Sequence, residues 1–192
     1  MRKEAIYKIF SNIPTLETER FFLRKLSLDD TSDMYEYSKS EEITKHLTWS
    51  PHHNKAYTFD YLNYLQNRYK TGDFYDWAIE CKDSGKMIGT CGFTRFLFRH
   101  NAAEIGYVLN KEYHGKGIAT EVVGRIIQYG FENLALERIE GKFMIENEAS
   151  RRVMEKNGMI FEGINRKSML IKGVYRDIGT CAILREDFFK KV

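Results

Sequence analysis

Tyr113-His114-Gly115-Lys116-Gly117-Ile118-Ala119-Thr120 follows a strand-like run, Ala103–Leu109. It leads into a segment where Ile118, Val122, Ile126 and Gly130 recur at helical spacing, with Val123 and Ile127 widening the stripe. A helix N-terminus leaves its first four N–H groups unpaired and carries about half a positive charge. Glycines at 115 and 117 permit positive φ and let a ligand approach the main chain closely. The chemistry on offer is a backbone cradle for a phosphate or pyrophosphate. The alternative is a glycine-rich connection that holds nothing.

Two familiar phosphate loops do not fit. A P-loop needs an earlier glycine and a Ser or Thr after Gly-Lys, but position 110 is Asn and Lys116 precedes Gly117. A dinucleotide fingerprint needs a third glycine, and Thr120 stands there. A pyrophosphate site of another kind remains.

His114-Gly115-Lys116-Gly117-Ile118-Ala119 resembles the acetyl-coenzyme-A loop of the GNAT N-acetyltransferases, Q/R-x-x-G-x-G/A, with His114 in place of Gln or Arg. Thr18-Glu19-Arg20-Phe21-Phe22-Leu23-Arg24 resembles the opening strand of the branch that contains the RimJ/RimL ribosomal-protein N-terminal acetyltransferases. Asn147–Gly158 resembles that branch's N-x-x-S-x-x-V-x-x-K-x-G helix. The resemblance runs over roughly residues 15–188. It implies one acetyltransferase domain over 1–192, an α+β fold with a mixed, mostly antiparallel sheet flanked by helices, and a splay where the coenzyme enters.

The resemblance also implies a site. The amides of Gly115, Lys116, Gly117, Ile118, Ala119 and Thr120 would hold the pyrophosphate, with His114 beside them and the Lys116 side chain as a phosphate partner. Pantetheine would pair with the strand end Tyr107-Val108-Leu109, where a backbone N–H serves the thioester oxygen. Asn147 fits a helix N-cap and, through the family, a pantetheine contact. Many relatives carry a thiolate-protonating Tyr one turn on; Met154 occupies that place, so Ser150 is the candidate donor. Arg151, Arg152 and Lys156 read as a solvated face able to touch the ligand's phosphates. Glu104, an acid between Ala103 and Ile105, is the preferred base through a water, with His114 the second candidate. Gly106 marks either a bulge that splays the strand or a close packing contact.

The remaining sequence bounds the class. The chain has 192 residues and a formal net charge of +3, with 30 Lys and Arg against 27 acids, so its positive charge is dispersed and nucleic-acid binding is not indicated. Three widely spaced cysteines, Cys81, Cys91 and Cys181, argue against a disulfide framework, a zinc site or a covalent relay. Neither a long apolar span nor a leader-like apolar run is evident, so a cytoplasmic protein without a membrane anchor is expected, as monomer or homodimer.

These residues need elements to position them. Residues 1–14 read as a short helix or arm, 19–26 as an edge strand, and Ser27-Leu28-Asp29-Asp30 caps a helix over 30–39. A loop spans 49–54; a helix over 55–71 ends before Gly72, with Tyr57, Tyr61, Tyr64 and Leu65 expected to face the core. Strands follow at 74–82, 86–97 and 102–109, then helix 117–133, strand 138–145, helix 148–157, and strands 160–171 and 174–185.

The acceptor is constrained by its amine. At pH 7.5 an α-amine of pKa about 8 is about a quarter neutral, whereas a lysine is about 0.1% neutral, so a weak base suits the α-amine. This fits the N-terminal acetylation that the resemblance implies, which is the expected acceptor, and a small-molecule amine with a lowered pKa fits the argument equally. A small amine (antibiotic or polyamine) and a non-catalytic coenzyme-A-binding module are the alternatives.

Overall fold

A computed structural model describes residues 2–190; of the segments anticipated above, Met1 at the start of the arm and 191–192 at the end of the domain lie outside it. Helix α1 (Lys3–Ser11) is docked, not a free arm, because Ile6 and Phe10 are buried. The Phe10 ring meets Trp77 at 5.4 Å and Tyr75 at 5.0 Å, and the Trp77 indole N–H donates to the Pro14 carbonyl at 2.7 Å.

Strands β1 (Leu16–Glu17) and β2 (Phe21–Arg24) pair antiparallel, so the edge belongs to β1 and the expected edge strand lies one place inside. The Ser27 hydroxyl and Asp30 carboxylate form a capping box ahead of α2 (Thr31–Ser38), and a short α3 (Glu41–Thr44) that the sequence did not signal follows. Helix α4 (Lys55–Thr71) starts at the Asn54 cap and stops at left-handed Gly72. Its buried stripe is Thr58, Leu62, Leu65 and Tyr69. Of the expected stripe only Leu65 is buried; Tyr57, Tyr61 and Tyr64 are 45%, 38% and 55% exposed. The core-facing row is one step round the helix, because small Thr58 fits against the sheet where a tyrosine ring does not.

Strands β3 (Tyr75–Cys81), β4 (Met87–Leu97) and β5 (Ala102–Leu109) continue antiparallel. Helix α5 (Ile118–Glu132) crosses over to β6 (Arg138–Met144), which runs parallel to β5. Helix α6 (Glu148–Lys156), the hairpin β7 (Ile160–Ile171) and β8 (Val174–Leu184), and α7 (Arg185–Lys190) complete the chain. The eight-stranded order is β1-β2-β3-β4-β5-β6-β8-β7.

One pairing is incomplete. β5 and β6 pair only from Ala102–Ile105 to Arg138–Gly141, while β4 follows β5 to Leu109 and β8 follows β6 to Met144. From Gly106 onward the sheet is split. Gly106 itself pairs regularly with Gly92, and the irregularity lies at Phe93–Arg95, so the bulge reading of Gly106 is replaced by the packing one. A Cβ there would stand 2.5 Å from the Thr94 methyl.

Candidate active site

The glycine turn is built by capping. The Asn110 side chain accepts from Glu112 N–H at 3.2 Å, closing a 3-10 turn over Lys111–Tyr113. Gly115 and Gly117 then both take φ +74°, which bends the chain so that Gly117 caps α5 with no side chain in the way. The first helical bond runs from Glu121 N–H to Gly117 C=O at 3.1 Å, and among the described residues no N–H of 115–120 donates within the chain. Arg20 braces this arrangement from the opening strand. Its guanidinium donates to the Lys116 carbonyl at 3.1 Å and to the Glu121 carboxylate at 2.7 Å.

These amides open onto a cleft of about 390 Å³ in the split of the sheet. Asn110 N–H donates to Ile88 C=O at 2.8 Å, so by strand alternation Tyr107 and Leu109 turn their N–H and C=O groups toward the gap. His114 Nε2 sits 2.9 Å from the Leu109 carbonyl; a carbonyl only accepts, so this nitrogen carries the proton and is not free as a base. Val108, Leu109, His114, Gly115, Gly117, Ile118, Ala119, Thr120, Asn147, Ser150 and Lys156 all line the cleft. Lys116 does not: its ammonium lies over the Tyr113 ring at 5.3 Å. Arg152 and Lys156 face the cleft, whereas Arg151 pairs with Glu155 at 2.7 Å and stacks on Phe161 at 4.3 Å.

The second helix terminus converges on the same space. Asn147 Oδ1 accepts from Ser150 N–H at 3.2 Å, capping α6 and fixing Ser150 over the cleft. Tyr107, which sequence reasoning named only for its backbone, places its hydroxyl 2.9 Å from Ser150 Oγ and 3.0 Å from the Ser150 carbonyl. Burial pushes the Tyr107 phenol well above its ordinary pKa, so it stays a hydroxyl. Met154 is buried with its thioether against Gly141.

Glu104 stands elsewhere. It lies on the half of β5 that β6 still covers, outside the cleft, and its carboxylate accepts from Lys142 at 2.8 Å and Arg95 at 3.2 Å. The structure thus does not bring Glu104 together with the other expected site residues, since it does not line the cleft.

A second cavity of about 500 Å³ opens on the face of the sheet covered by α2 and α4, and Val108 lines both spaces. Trp49, His52, Tyr57 and Tyr61 wall it, and Asp76 lies on its floor. Burial pushes the Asp76 carboxyl up to about 7, against hydrogen bonds from Thr90 and the Trp77 N–H. Burial also pushes His52 down; its Nδ1 lies 2.9 Å from the Thr58 hydroxyl. Asp76 was legible as an acid inside Phe74-Tyr75-Asp76-Trp77-Ala78-Ile79, the same signal that singled out Glu104.

A split β5–β6 pair facing an unpaired helix N-terminus is the architecture of an acyltransferase fold, and comparison with known proteins agrees. The family model described as an acetyltransferase (GNAT) domain matches residues 20–160, and the chain belongs to that family. It is an N-acetyltransferase enzyme of GNAT type. It is 33% identical to the uncharacterized N-acetyltransferase p20 of Bacillus licheniformis, over 91% of this chain and 98% of that protein. The spermidine N(1)-acetyltransferase of Vibrio cholerae is 25% identical over 88% and 95% of the two chains. The ribosomal-protein-serine acetyltransferase of Escherichia coli is 29% identical over 50% and 54%. Among solved structures, a GNAT-family acetyltransferase from Bacillus anthracis superposes with TM-score 0.80 at 28% identity, covering 90% of this chain and 99% of that one. No helix among the described residues is long and apolar enough to cross a membrane.

Proposed function

We propose that this chain moves the acetyl group of acetyl-coenzyme A directly onto the α-amine of a protein N-terminus. The observation that carries the reading is the set of unpaired amides at residues 115–120, opening onto the free edge of β5. The pyrophosphate sits on those amides, where the helix dipole and the φ +74° glycines favour it. Arg152 and Lys156 add positive charge at the cleft wall. Pantetheine runs along the edge of β5 as an added strand, and an N–H of Tyr107 or Leu109 receives the developing oxyanion.

The amine then attacks the thioester carbon, the C–N bond forms, and the C–S bond breaks. Ser150 gives its proton to the departing sulfur while the Tyr107 hydroxyl, still protonated, turns from the Ser150 carbonyl to hydrogen-bond Ser150 Oγ, and the proton that nitrogen sheds on becoming an amide returns to Ser150. An α-amine suits this site because about a quarter of it is already neutral at pH 7.5. A relative that acts on ribosomal protein supports the acceptor; a spermidine-acting relative supports a second reading, a small-molecule amine.

Isotope-labelled acetyl-coenzyme A offered with N-terminal peptides, polyamines and aminoglycosides separates the two. Label in the peptide α-amine is the expected result. Label confined to polyamines or aminoglycosides would reject the peptide acceptor and keep the transferase.

A further inference from the structure

The second cavity holds a carboxyl group that the fold leaves without a counter-charge. Asp76 enters no ion pair among the described residues, and its Oδ1 accepts only the neighbouring Trp77 N–H, at 3.1 Å, with the Thr90 hydroxyl as the other donor. The titratable groups packed around it are Tyr37 on α2, Tyr61 and Tyr69 on α4, His52 in the preceding loop and Cys91 on β4. None of these supplies a fixed positive charge, since burial lowers His52 and raises the phenols and the thiol. A second orphan lies on the same wall. The Ser38 hydroxyl is buried, lines the cavity and has no hydrogen-bond partner.

The strand register connects this floor to the split sheet. Asp76 pairs with Gly92 and Gly92 with Gly106; two residues along, Ala78 pairs with Thr90 and Thr90 with Val108. Cross-strand partners share a face, so Asp76, Thr90 and Val108 look into one space. Adjacent strands lie about 4.8 Å apart, which puts the β3 and β5 backbones about 10 Å apart. The two glycines let neighbouring groups close over this row: the Thr94 methyl lies over Gly106 and the Asp76 carboxylate over Gly92. A Cβ at Gly92 would stand 2.8 Å from Asp76 Oδ1. Tyr107 faces the opposite side, toward α6 and Ser150. The coenzyme cleft and this cavity therefore meet at Val108 from different directions.

We propose that Asp76 is the acceptor's anchor and base: it binds the incoming primary ammonium inside the aromatic cavity and takes its proton before attack. This rests on the acetyl-transfer reading and names the group that selects the amine. The substrate class is a primary ammonium whose adjoining carbon chain is slender enough to lie against Tyr57, Tyr61 and Trp49, where the rings also favour the cation. The ammonium, bound in the second cavity, gives one proton to the Asp76 carboxylate through bridging waters. The freed lone pair forms the C–N bond, the C–S bond breaks as Ser150 protonates the thiolate, and the surplus proton on nitrogen passes back to Ser150 Oγ. Asp76 returns its proton to solvent.

The test is the pH dependence of kcat/KM for an amine found in the labelled panel, for the wild type, Asp76→Asn and Tyr61→Ala, with acetyl-coenzyme A affinity measured by calorimetry as the check on folding. Asp76→Asn should bind acetyl-coenzyme A within about twofold of the wild type and lose about a hundredfold or more in kcat/KM. The wild-type profile should level off above pH 7, whereas the Asn variant should climb on to the amine's own pKa, since only substrate ionisation is left. Tyr61→Ala should raise the amine KM more than it changes kcat. Wild-type turnover matched by Asp76→Asn, with the same profile, would overturn this assignment and leave the transferase intact. A wild type that binds acetyl-coenzyme A and acetylates no amine would overturn both.

Discussion

The Tyr107 hydroxyl lies 2.9 Å from Ser150 Oγ, joining the strand that borders the split to the helix that caps it. In the proposed mechanism this pair supplies the proton to the leaving sulfur, and Met154, one turn on, is buried in the core. Ser150→Ala and Tyr107→Phe should each lower kcat about tenfold, equivalent to about 1.4 kcal/mol, with acetyl-coenzyme A affinity nearly unchanged. The double variant should cost little more than either alone, since both changes break one relay. Steady-state kinetics on the four proteins checks this; additive losses would mean that the hydroxyls act separately.

Gly117→Val should weaken acetyl-coenzyme A binding by at least a hundredfold. A branched side chain at φ +74° is strained, and its methyls would stand over the amides. Arg20→Ala should weaken binding by a smaller factor, about five- to tenfold, by releasing the Lys116 carbonyl and Glu121. Calorimetric titration reads both.

Asp76→Asn should stabilise the protein at neutral and alkaline pH. The folded-state pKa is raised from 3.8 to about 7, so across that window the native carboxyl keeps a proton the unfolded chain has released. Wild-type stability therefore falls as pH rises from about 4 to 7, and above 7 the full penalty applies. The variant escapes a cost on the order of 2–4 kcal/mol. Thermal melts should show a higher midpoint for the variant at pH 8 and no difference at pH 4. Equal midpoints at pH 8 would show that the carboxyl is well solvated.

Glu104→Gln should keep turnover within about threefold and leave the pH profile unmoved. Its carboxylate serves Lys142 and Arg95 on the covered half of β5, where exposed ion pairs contribute about 1 kcal/mol or less to stability. A lost acid limb in this variant would restore it as the base.

Local signals made much of this fold legible. Asn54 and Gly72 bound α4 where their capping chemistry demands, and the glycine turn led into α5 as its spacing required. The direction of α4's tyrosines was not legible, because periodicity gives a stripe and not which neighbouring stripe meets the sheet. Acids embedded in apolar strands were visible at both Glu104 and Asp76. Only the pairing register separates them: β6 pairs beside the first, and the second stands opposite Gly92 on β4. Tyr107 was hidden for the same reason, its partner Ser150 lying 43 residues away in the chain.

The central claim is that the amides of residues 115–120 hold the coenzyme's diphosphate. Backbone amide resonances followed by NMR during titration with acetyl-coenzyme A test it most directly. Saturable one-to-one shifts centred on Gly115–Thr120 and continuing to Tyr107–Leu109 are the predicted result. Saturable binding that leaves those amides in place and moves others would contradict it.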